Sequence, residues 1–228
     1  MCGRYILRYL AQAEREFELS SFKGWQESFN IAPTQQVAVV RMEGGVRAGL
    51  TLRWGLIPFF ARGEPPKYST INATIEKLES AATWRGPWKR AQRCILPSAG
   101  FYEWHLSDAG TKHPYFIHLA DQEVFGFAAL WDRSVSADGT AVESCAIITM
   151  PGNDLMKQVH NTGKNPHRMP AILGKADYET WLSGGIEDAK SVLKQYPQDV
   201  MVAYRVSTRV NTPKNNDLSL LEAVPTSV

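Results

Sequence analysis

Short apolar segments of strand length, separated by turn sequences, dominate the middle of this chain and constrain its fold more than any other feature. They predict strands at 94–96, 101–106, 115–119, 124–131 and 145–150. SDAG and VSADGTA, which lie between pairs of these segments, are typical of hairpin turns.

Strands are also predicted at the N-terminus, 36–42, 50–57 and 201–206, and helices at 11–19, 154–159, 176–182 and 186–193. Because helices and strands do not alternate, a doubly wound parallel fold is disfavoured. The sequence predicts an α+β fold, in which mixed or antiparallel β-sheets form a barrel-like core flanked by a few short helices.

No repeat, low-complexity tract or long linker divides the 228 residues. Mixed and all-β folds of this length commonly form one domain. We therefore predict a single domain over residues 2–220 and a C-terminal tail over residues 221–228.

Composition and charge exclude several classes of protein. Hydrophobic residues make up 44% of the chain and charged residues 21%, which argues against disorder. The apolar runs are too short to span a bilayer, and the N-terminus lacks the apolar segment of a signal peptide. A net charge of +2 neither predicts nor excludes nucleic-acid binding, since a basic groove can exist within a balanced total.

The number and spacing of the cysteines, and the absence of several common motifs, exclude a number of possible active sites. The sequence has three cysteines, Cys2, Cys94 and Cys145, which cannot all form disulfides and whose spacing fits no zinc or CxxC pattern. We therefore expect the protein to reside in the reducing cytoplasm. The sequence contains none of the motifs GxxxxGK[ST], GxGxxG, HExxH and GxSxG.

Cys2 directly follows the initiator methionine. Loss of Met1 before so small a residue leaves an amine and a thiol on adjacent carbons, both partly nucleophilic at neutral pH. An aldehyde reacts with such a pair to form an imine and then a five-membered thiazolidine, the second attack being intramolecular. An incidental cysteine near the terminus is the alternative.

Glu103, His160, His167 and Asn72 are further polar candidates. Glu103, within GFYEWH, either faces solvent or lines a pocket where apolar surroundings raise its pKa for acid–base work. Both histidines lie in a loop rich in glycine and asparagine. Each is either an acid–base group or a solvated side chain without a catalytic role. Asn72 either binds a ligand or caps a turn.

Aromatic residues alternate with arginine in two segments, WGLIPFFARG and TWRGPWKR. This composition is typical of a platform on which single-stranded nucleic acid stacks. Packing in the core is the alternative for at least half of these rings.

Eight sequence blocks, taken together and in order, resemble the SRAP family, the SOS-response-associated peptidase domains that shield abasic sites in DNA. The blocks are MCGRY, NIAPTQ, LRWGLIP, INATIE, RCILPSAGFYEW, IITMPGN, RMPAIL and VSTRVNTPKNND. The resemblance implies an enzyme that removes its own Met1 and forms a thiazolidine crosslink between an exposed Cys2 and an abasic site in single-stranded DNA, with lyase-type chemistry. It also implies a monomer in the cytoplasm, associated with the nucleoid when bound to DNA, that uses no cofactor or metal and no membrane.

The resemblance also assigns roles to residues. Cys2 would be the nucleophile, Asn72 would orient the terminal amine or the sugar, and Glu103 would relay protons. The histidine before RMP would assist imine formation and its reversal. The implied DNA-binding residues are Arg4, Trp54, Phe59, Phe60, Arg85, Trp104, Thr149 and Arg168.

Two positions depart from the family pattern. The family commonly has its histidine two residues before the arginine of RMP, whereas HNTGKNPH precedes Arg168 here. We favour His160, followed by an insertion, and keep His167 as the alternative. Thr74 stands where the family commonly has an arginine that contacts phosphate, which puts one DNA contact in doubt.

Two other functions compete with crosslinking. Cys2, His160 and Glu103 would suit a cysteine-type peptidase acting mainly on its own Met1. The aromatic surface alone would suit a non-covalent reader of modified or single-stranded DNA.

Overall fold

The computed structural model describes residues 2–19 and 24–225, which contain thirteen strands and five α-helices. The strands are β1 (Tyr5–Leu7), β2 (Ser28–Ile31), β3 (Gln36–Glu43), β4 (Val46–Trp54), β5 (Asn72–Thr74), β6 (Arg93–Ser98), β7 (Gly100–Leu106), β8 (Lys112–Leu119), β9 (Phe125–Val135), β10 (Ala141–Pro151), β11 (Arg168–Pro170), β12 (Ile172–Leu173) and β13 (Met201–Arg205). The helices are α1 (Leu10–Glu16), α2 (Ala82–Lys89), α3 (Asp154–Val159), α4 (Tyr178–Ser183) and α5 (Ile186–Ser191).

A closed barrel forms the centre of the molecule. Its strands follow the order β10, β4, β3, β6 and β9, and β9 pairs again with β10 to close the ring. The β4–β10 pair is parallel, and the other four pairs of the ring are antiparallel. Closure satisfies the strand edges within the ring, and the predicted barrel-like α+β fold is confirmed.

The second sheet is antiparallel and has the order β13, β8, β7, β1 and β2. Tyr5 of β1 lies opposite Phe101 of β7, and Tyr102 N–H donates to Arg4 O at 2.9 Å. This register carries the first residues of the chain alongside the middle of β7, the strand that contains Glu103.

Gly100 allows β7 to begin close to its neighbour β8. Its φ of +153° suits glycine, and a Cβ at this position would lie 2.3 Å from Cζ of Phe116. Any larger residue would therefore push β7 away from β8 and displace the strand that positions Glu103.

Helix α2 is one of the elements that the sequence pattern missed, because Gly86 and Pro87 lie inside it. Trp84 and Trp88, four residues apart, are buried on one face of this helix. These two rings therefore belong to the core and not to an exposed platform. Helix α3 matches its predicted bounds, and α1, α4 and α5 differ from theirs by one to three residues at an end.

The end of the described chain packs on the second sheet. Leu220 is buried, and Val224 N–H donates to Arg205 O of β13 at 2.9 Å. Among the helices in the described ranges, none has the length and apolar character needed to cross a membrane.

Candidate active site

Cys2 lies where the barrel and the second sheet meet. Asn72 Nδ2 donates to the Cys2 carbonyl oxygen at 2.8 Å. Asn72 is itself fixed by β5, which pairs in parallel with β10 of the barrel and places Asn72 opposite Ile147. The amide predicted to orient the terminal residue therefore contacts the backbone of that residue.

Cys2 is buried, which corrects the expectation of an exposed thiol. Its exposed fraction is 0%, because it packs in the main hydrophobic core. Burial raises the pKa of the thiol well above its usual value, and the nearby Glu103 carboxylate raises it further. In this state the thiol is protonated and weakly nucleophilic.

Glu103 and His160 form a buried pair beside Cys2. Their exposed fractions are 2% and 4%, and His160 Nε2 lies 3.9 Å from Glu103 Oε2. Burial raises the pKa of Glu103 to about 7 and lowers the pKa of His160 to about 4. At neutral pH the carboxyl group is therefore close to its midpoint, whereas the imidazole is neutral.

The backbone of Arg168 orients the His160 ring. His160 Nδ1 lies 3.1 Å from Arg168 O and 3.2 Å from Arg168 N, and these contacts direct Nε2 toward Glu103. His160 follows the last residue of α3, so the helix end also fixes its backbone.

His160, and not His167, is the histidine that the structure brings to Glu103. His167 is exposed, and its Nδ1 contacts Lys157 O at 3.0 Å. Its N–H donates to His160 O at 2.7 Å, so the two residues lie at the base of a loop formed by residues 161–166. Residues 161–166 therefore form the connection between the two candidate histidines.

Two of the three arginines predicted to bind DNA, Arg4 and Arg168, are already held by protein groups. Arg4 Nη1 donates to Asn30 Oδ1 at 2.8 Å and to Val210 O at 2.6 Å. Arg168 makes two parallel hydrogen bonds to Glu76, at 2.8 and 2.9 Å, and a third to Thr149 O. Glu76, which the sequence analysis missed, fixes the Arg168 guanidinium in one orientation.

The predicted aromatic contacts divide into core and surface residues. Trp54 is 0% exposed and donates from Nε1 to Ile71 O at 3.0 Å, so its predicted role in DNA binding is corrected to a role in the core. Phe59 and Phe60 are 54% and 47% exposed. Arg85 is exposed. Trp104 is partly buried, and its Nε1 donates a hydrogen bond to Asn211 Oδ1.

Replacing Trp54 with alanine is expected to cost about 3–5 kcal/mol of folding free energy, the usual range for a large aromatic side chain in a packed core. Trp54 also packs edge-on against Tyr5, with ring centroids 5.3 Å apart. Phe59→Ala is the matched control, and we expect it to cost less than about 1 kcal/mol because its ring is exposed. Urea unfolding measures both changes in folding free energy. Equal losses in the two variants would contradict the assignment of Trp54 to the core and Phe59 to the surface.

A cavity of about 390 Å³ opens beside the Glu103–His160 pair. Its lining residues are Glu103, Trp104, Lys112, His160, Thr162, Gly163, Lys164 and Asn165. Lys112 and Lys164 are exposed on its walls and were missed by the sequence analysis, because neither lies in a conspicuous motif. Within the described ranges, no three His, Cys, Asp or Glu side chains are grouped so that they would hold a metal ion.

Comparison with known proteins identifies the family. The model of the SOS response associated peptidase (SRAP) family matches residues 1–213. Two proteins of Bacillus subtilis strain 168 named abasic site processing proteins are similar: YoaM is 37% identical over 98% of this chain and 98% of its own, and YoqW is 36% identical over 98% and 100%. A crystal structure of a Bacteroides thetaiotaomicron protein has a TM-score of 0.85 and 26% identity, covering 98% of this chain and 100% of that one. The chain therefore belongs to the SRAP family.

Proposed function

We propose that this protein processes abasic sites in single-stranded DNA by forming a covalent thiazolidine between Cys2 and the ring-opened sugar, once Met1 has been removed. The observation that carries the proposal is the placement of Cys2 against Asn72 and the buried Glu103–His160 pair. The names of the relatives YoaM and YoqW point to the same class of lesion. Such a substrate places the protein in the cytoplasm, on the DNA of the nucleoid, where we expect it to act as a monomer.

The chemistry requires two bonds to one carbon. The Cys2 amine attacks the sugar aldehyde, and the resulting carbinolamine loses water to give an imine. The thiol sulfur then adds to the imine carbon, and its proton ends on the nitrogen, which closes the thiazolidine ring. The second step is intramolecular, which greatly increases its rate over a reaction between separate molecules.

Glu103 and His160 supply the proton transfers. With its pKa at about 7, Glu103 is partly protonated at neutral pH, so it can donate to the departing hydroxyl and later accept the thiol proton. Because its pKa lies at about 4, His160 is neutral at this pH. A neutral imidazole has one ring nitrogen that can accept a proton from the attacking amine. Their opposite shifts divide the acid and base roles between two neighbouring groups.

Buried polar atoms without protein partners support a polar ligand at this site. Asn72 Oδ1, Thr74 Oγ1 and Thr149 Oγ1 accept or donate no hydrogen bond among the described residues. Thr74 lies opposite Thr149 in the β5–β10 pair, and Asn72 is two residues before Thr74, so all three belong to one face. Burying such atoms unpaired is costly, so we infer that a sugar hydroxyl donates to Asn72 Oδ1 and that the sugar or a flanking phosphate accepts from the two threonine hydroxyls.

Met1 removal activates the nucleophile in this proposal. Hydrolysis of the Met1–Cys2 peptide bond consumes one water, releases methionine and generates the amine that the imine requires. We assign this autocatalytic step to the Glu103–His160 pair beside Cys2. Before this step the Cys2 nitrogen is part of a peptide bond and cannot form the imine.

Intact-mass measurement after mixing the protein with an abasic-site oligonucleotide tests the proposal. We expect a species that has lost one methionine and gained one oligonucleotide minus the water released. An oligonucleotide without the abasic site should give no such species. A protein that has lost Met1 and still forms no adduct would overturn the proposed function.

Lys112 and Lys164 are expected to bind DNA phosphates at the cavity. Replacing either with alanine should weaken binding to single-stranded DNA several-fold and reduce the salt slope by about 0.7 for each phosphate that the protein no longer neutralises. Lys190→Ala is the matched control, since Lys190 lies on α5, where it pairs with Glu79 and Glu187. Fluorescence anisotropy across a salt series measures the slope, and an unchanged slope in both cavity variants would contradict the assignment.

A further inference from the structure

Strand β7 extends beyond the residues that pair with β1 at the active site. Gly100 and Phe101 lie opposite β1, and Tyr102 N–H donates to Arg4 O, whereas β7 continues through Leu106. The backbone groups in the remainder of β7 therefore need partners other than β1 along this edge.

Asn161 supplies such a partner at Leu106. Leu106 N–H donates to Asn161 Oδ1 at 2.8 Å, and Asn161 Nδ2 donates to Leu106 O at 2.9 Å. One side-chain amide thus makes the two hydrogen bonds that a neighbouring strand residue would make.

A second contact holds the same segment from the other side of His160. His105 Nδ1 lies 2.9 Å from Gln158 O, at the last turn of α3. His160 is therefore bracketed by contacts of Gln158 and Asn161 with consecutive residues of β7, the strand that carries Glu103. These contacts fix the distance between the imidazole and the carboxylate.

We propose that Asn161 is a positioning residue for the reaction, whose paired hydrogen bonds to Leu106 hold His160 against Glu103. This proposal rests on the proposed function. Asn161 acts through His160 and contributes no atom to the chemistry. Small displacements of a reacting group are costly, because a shift of about 1 Å can reduce a rate about 100-fold.

Asn161→Ala removes both hydrogen bonds and tests the proposal with two readouts. The rate of crosslinking to an abasic-site oligonucleotide should fall roughly ten-fold or more. The pKa of His160 should move from about 4 toward its ordinary 6.5 as the loosened segment admits water. NMR titration of the imidazole Cε1–H measures this shift, and the His160 resonance is assigned by its absence from His160→Gln.

Asp188→Ala is the matched control, because it also removes a side-chain bond to the backbone, from Gly185 N–H, at the start of α5. It should leave both the crosslinking rate and the His160 titration unchanged. Thermal unfolding of both variants separates a general loss of stability from a local one. Should Asn161→Ala not fold, Asn161→Asp, which keeps the acceptor for Leu106 N–H, is measured in the same two assays.

The outcomes separate this inference from the proposed function. An unchanged His160 titration in the Asn161 variant overturns the positioning role, whether or not the crosslinking rate falls. An unmodified protein that forms no adduct overturns the proposed function, whereas the titration still tests whether Asn161 holds His160.

Discussion

Replacing Cys2 with alanine is expected to abolish the denaturation-resistant adduct with abasic-site DNA. After loss of Met1 the variant still has a terminal amine, so it can form an imine with the sugar aldehyde. It has no sulfur to close the ring, and an imine hydrolyses readily in water. The adduct should therefore disappear from a denaturing gel and be recovered only when borohydride reduces the imine.

Cys94→Ala provides the control for the loss of a buried thiol. Cys94 is also 0% exposed and lies in β6 of the barrel. We expect this variant to form the adduct at the unmodified rate while losing about 1 kcal/mol or more of folding free energy through the cavity created. A denaturation-resistant adduct in Cys2→Ala at the normal yield would rule out the thiazolidine.

The fold was largely predictable from local pattern, and its exceptions have a physical cause. Alternation and turn sequences identify most strands, and the absence of βα alternation excludes a doubly wound sheet. Closure of the barrel depends on the pairing of β4 with β10, which are far apart in sequence. The register of such a pair is set by tertiary packing, and no local pattern contains it.

The structure brings together residues that the sequence assigned to one candidate site, but their environment could not be predicted. Sequence blocks contain Cys2, Asn72 and Glu103, and His160 was favoured over His167. Burial of the Cys2 thiol, however, follows from packing in the main core, whose members come from distant parts of the chain. Trp54 and Phe59 lie five residues apart in similar surroundings, yet one is in the core and the other is exposed. Whether a ring packs in the core or stays exposed is decided by contacts distant in sequence.

The choice between His160 and His167 shows the same limit. Spacing to Arg168 favours neither histidine, since neither lies two residues before it. The structure separates them because His160 directly follows α3 and its Nδ1 contacts the Arg168 backbone, whereas residues 161–166 form a loop before His167. An insertion is accommodated where the backbone is exposed, and the buried contacts are retained.

Glu103→Gln is expected to slow crosslinking by about 100- to 10,000-fold, the range for losing a general acid–base group. Glutamine matches glutamate in shape but does not exchange protons near neutral pH, so the geometry is preserved while the proton transfers are lost. Single-turnover crosslinking measured from pH 5 to pH 8 tests this. In the unmodified protein the rate should depend on a group with a pKa of about 7, and that dependence should vanish in the variant.

The same substitution should stabilise the protein at alkaline pH. The pKa of Glu103 is raised from 4.5 to about 7 in the folded state, so ionising this carboxyl group lowers the free energy of unfolding as pH rises through that interval. Above pH 7 the full loss is roughly 3 kcal/mol. Glutamine removes the cost, so Glu103→Gln should be more stable than the unmodified protein at pH 8 and no more stable at pH 4.

The contribution of His160 to folding stability depends on pH in the opposite direction, and the Glu103 variant should reveal this dependence. Its pKa is lowered from 6.5 to about 4, so its contribution to stability is present above pH 6.5 and is lost as pH falls toward 4. In the unmodified protein the two slopes oppose one another over most of this interval, whereas Glu103→Gln should lose stability steadily on acidification. Urea unfolding at pH 4 and pH 8 measures both trends, with Glu187→Gln, which replaces an exposed glutamate on α5, as the control. If Glu103→Gln were less stable than the unmodified protein at pH 8, the carboxylate would be stabilising the fold, and a pKa of Glu103 raised by burial would be wrong.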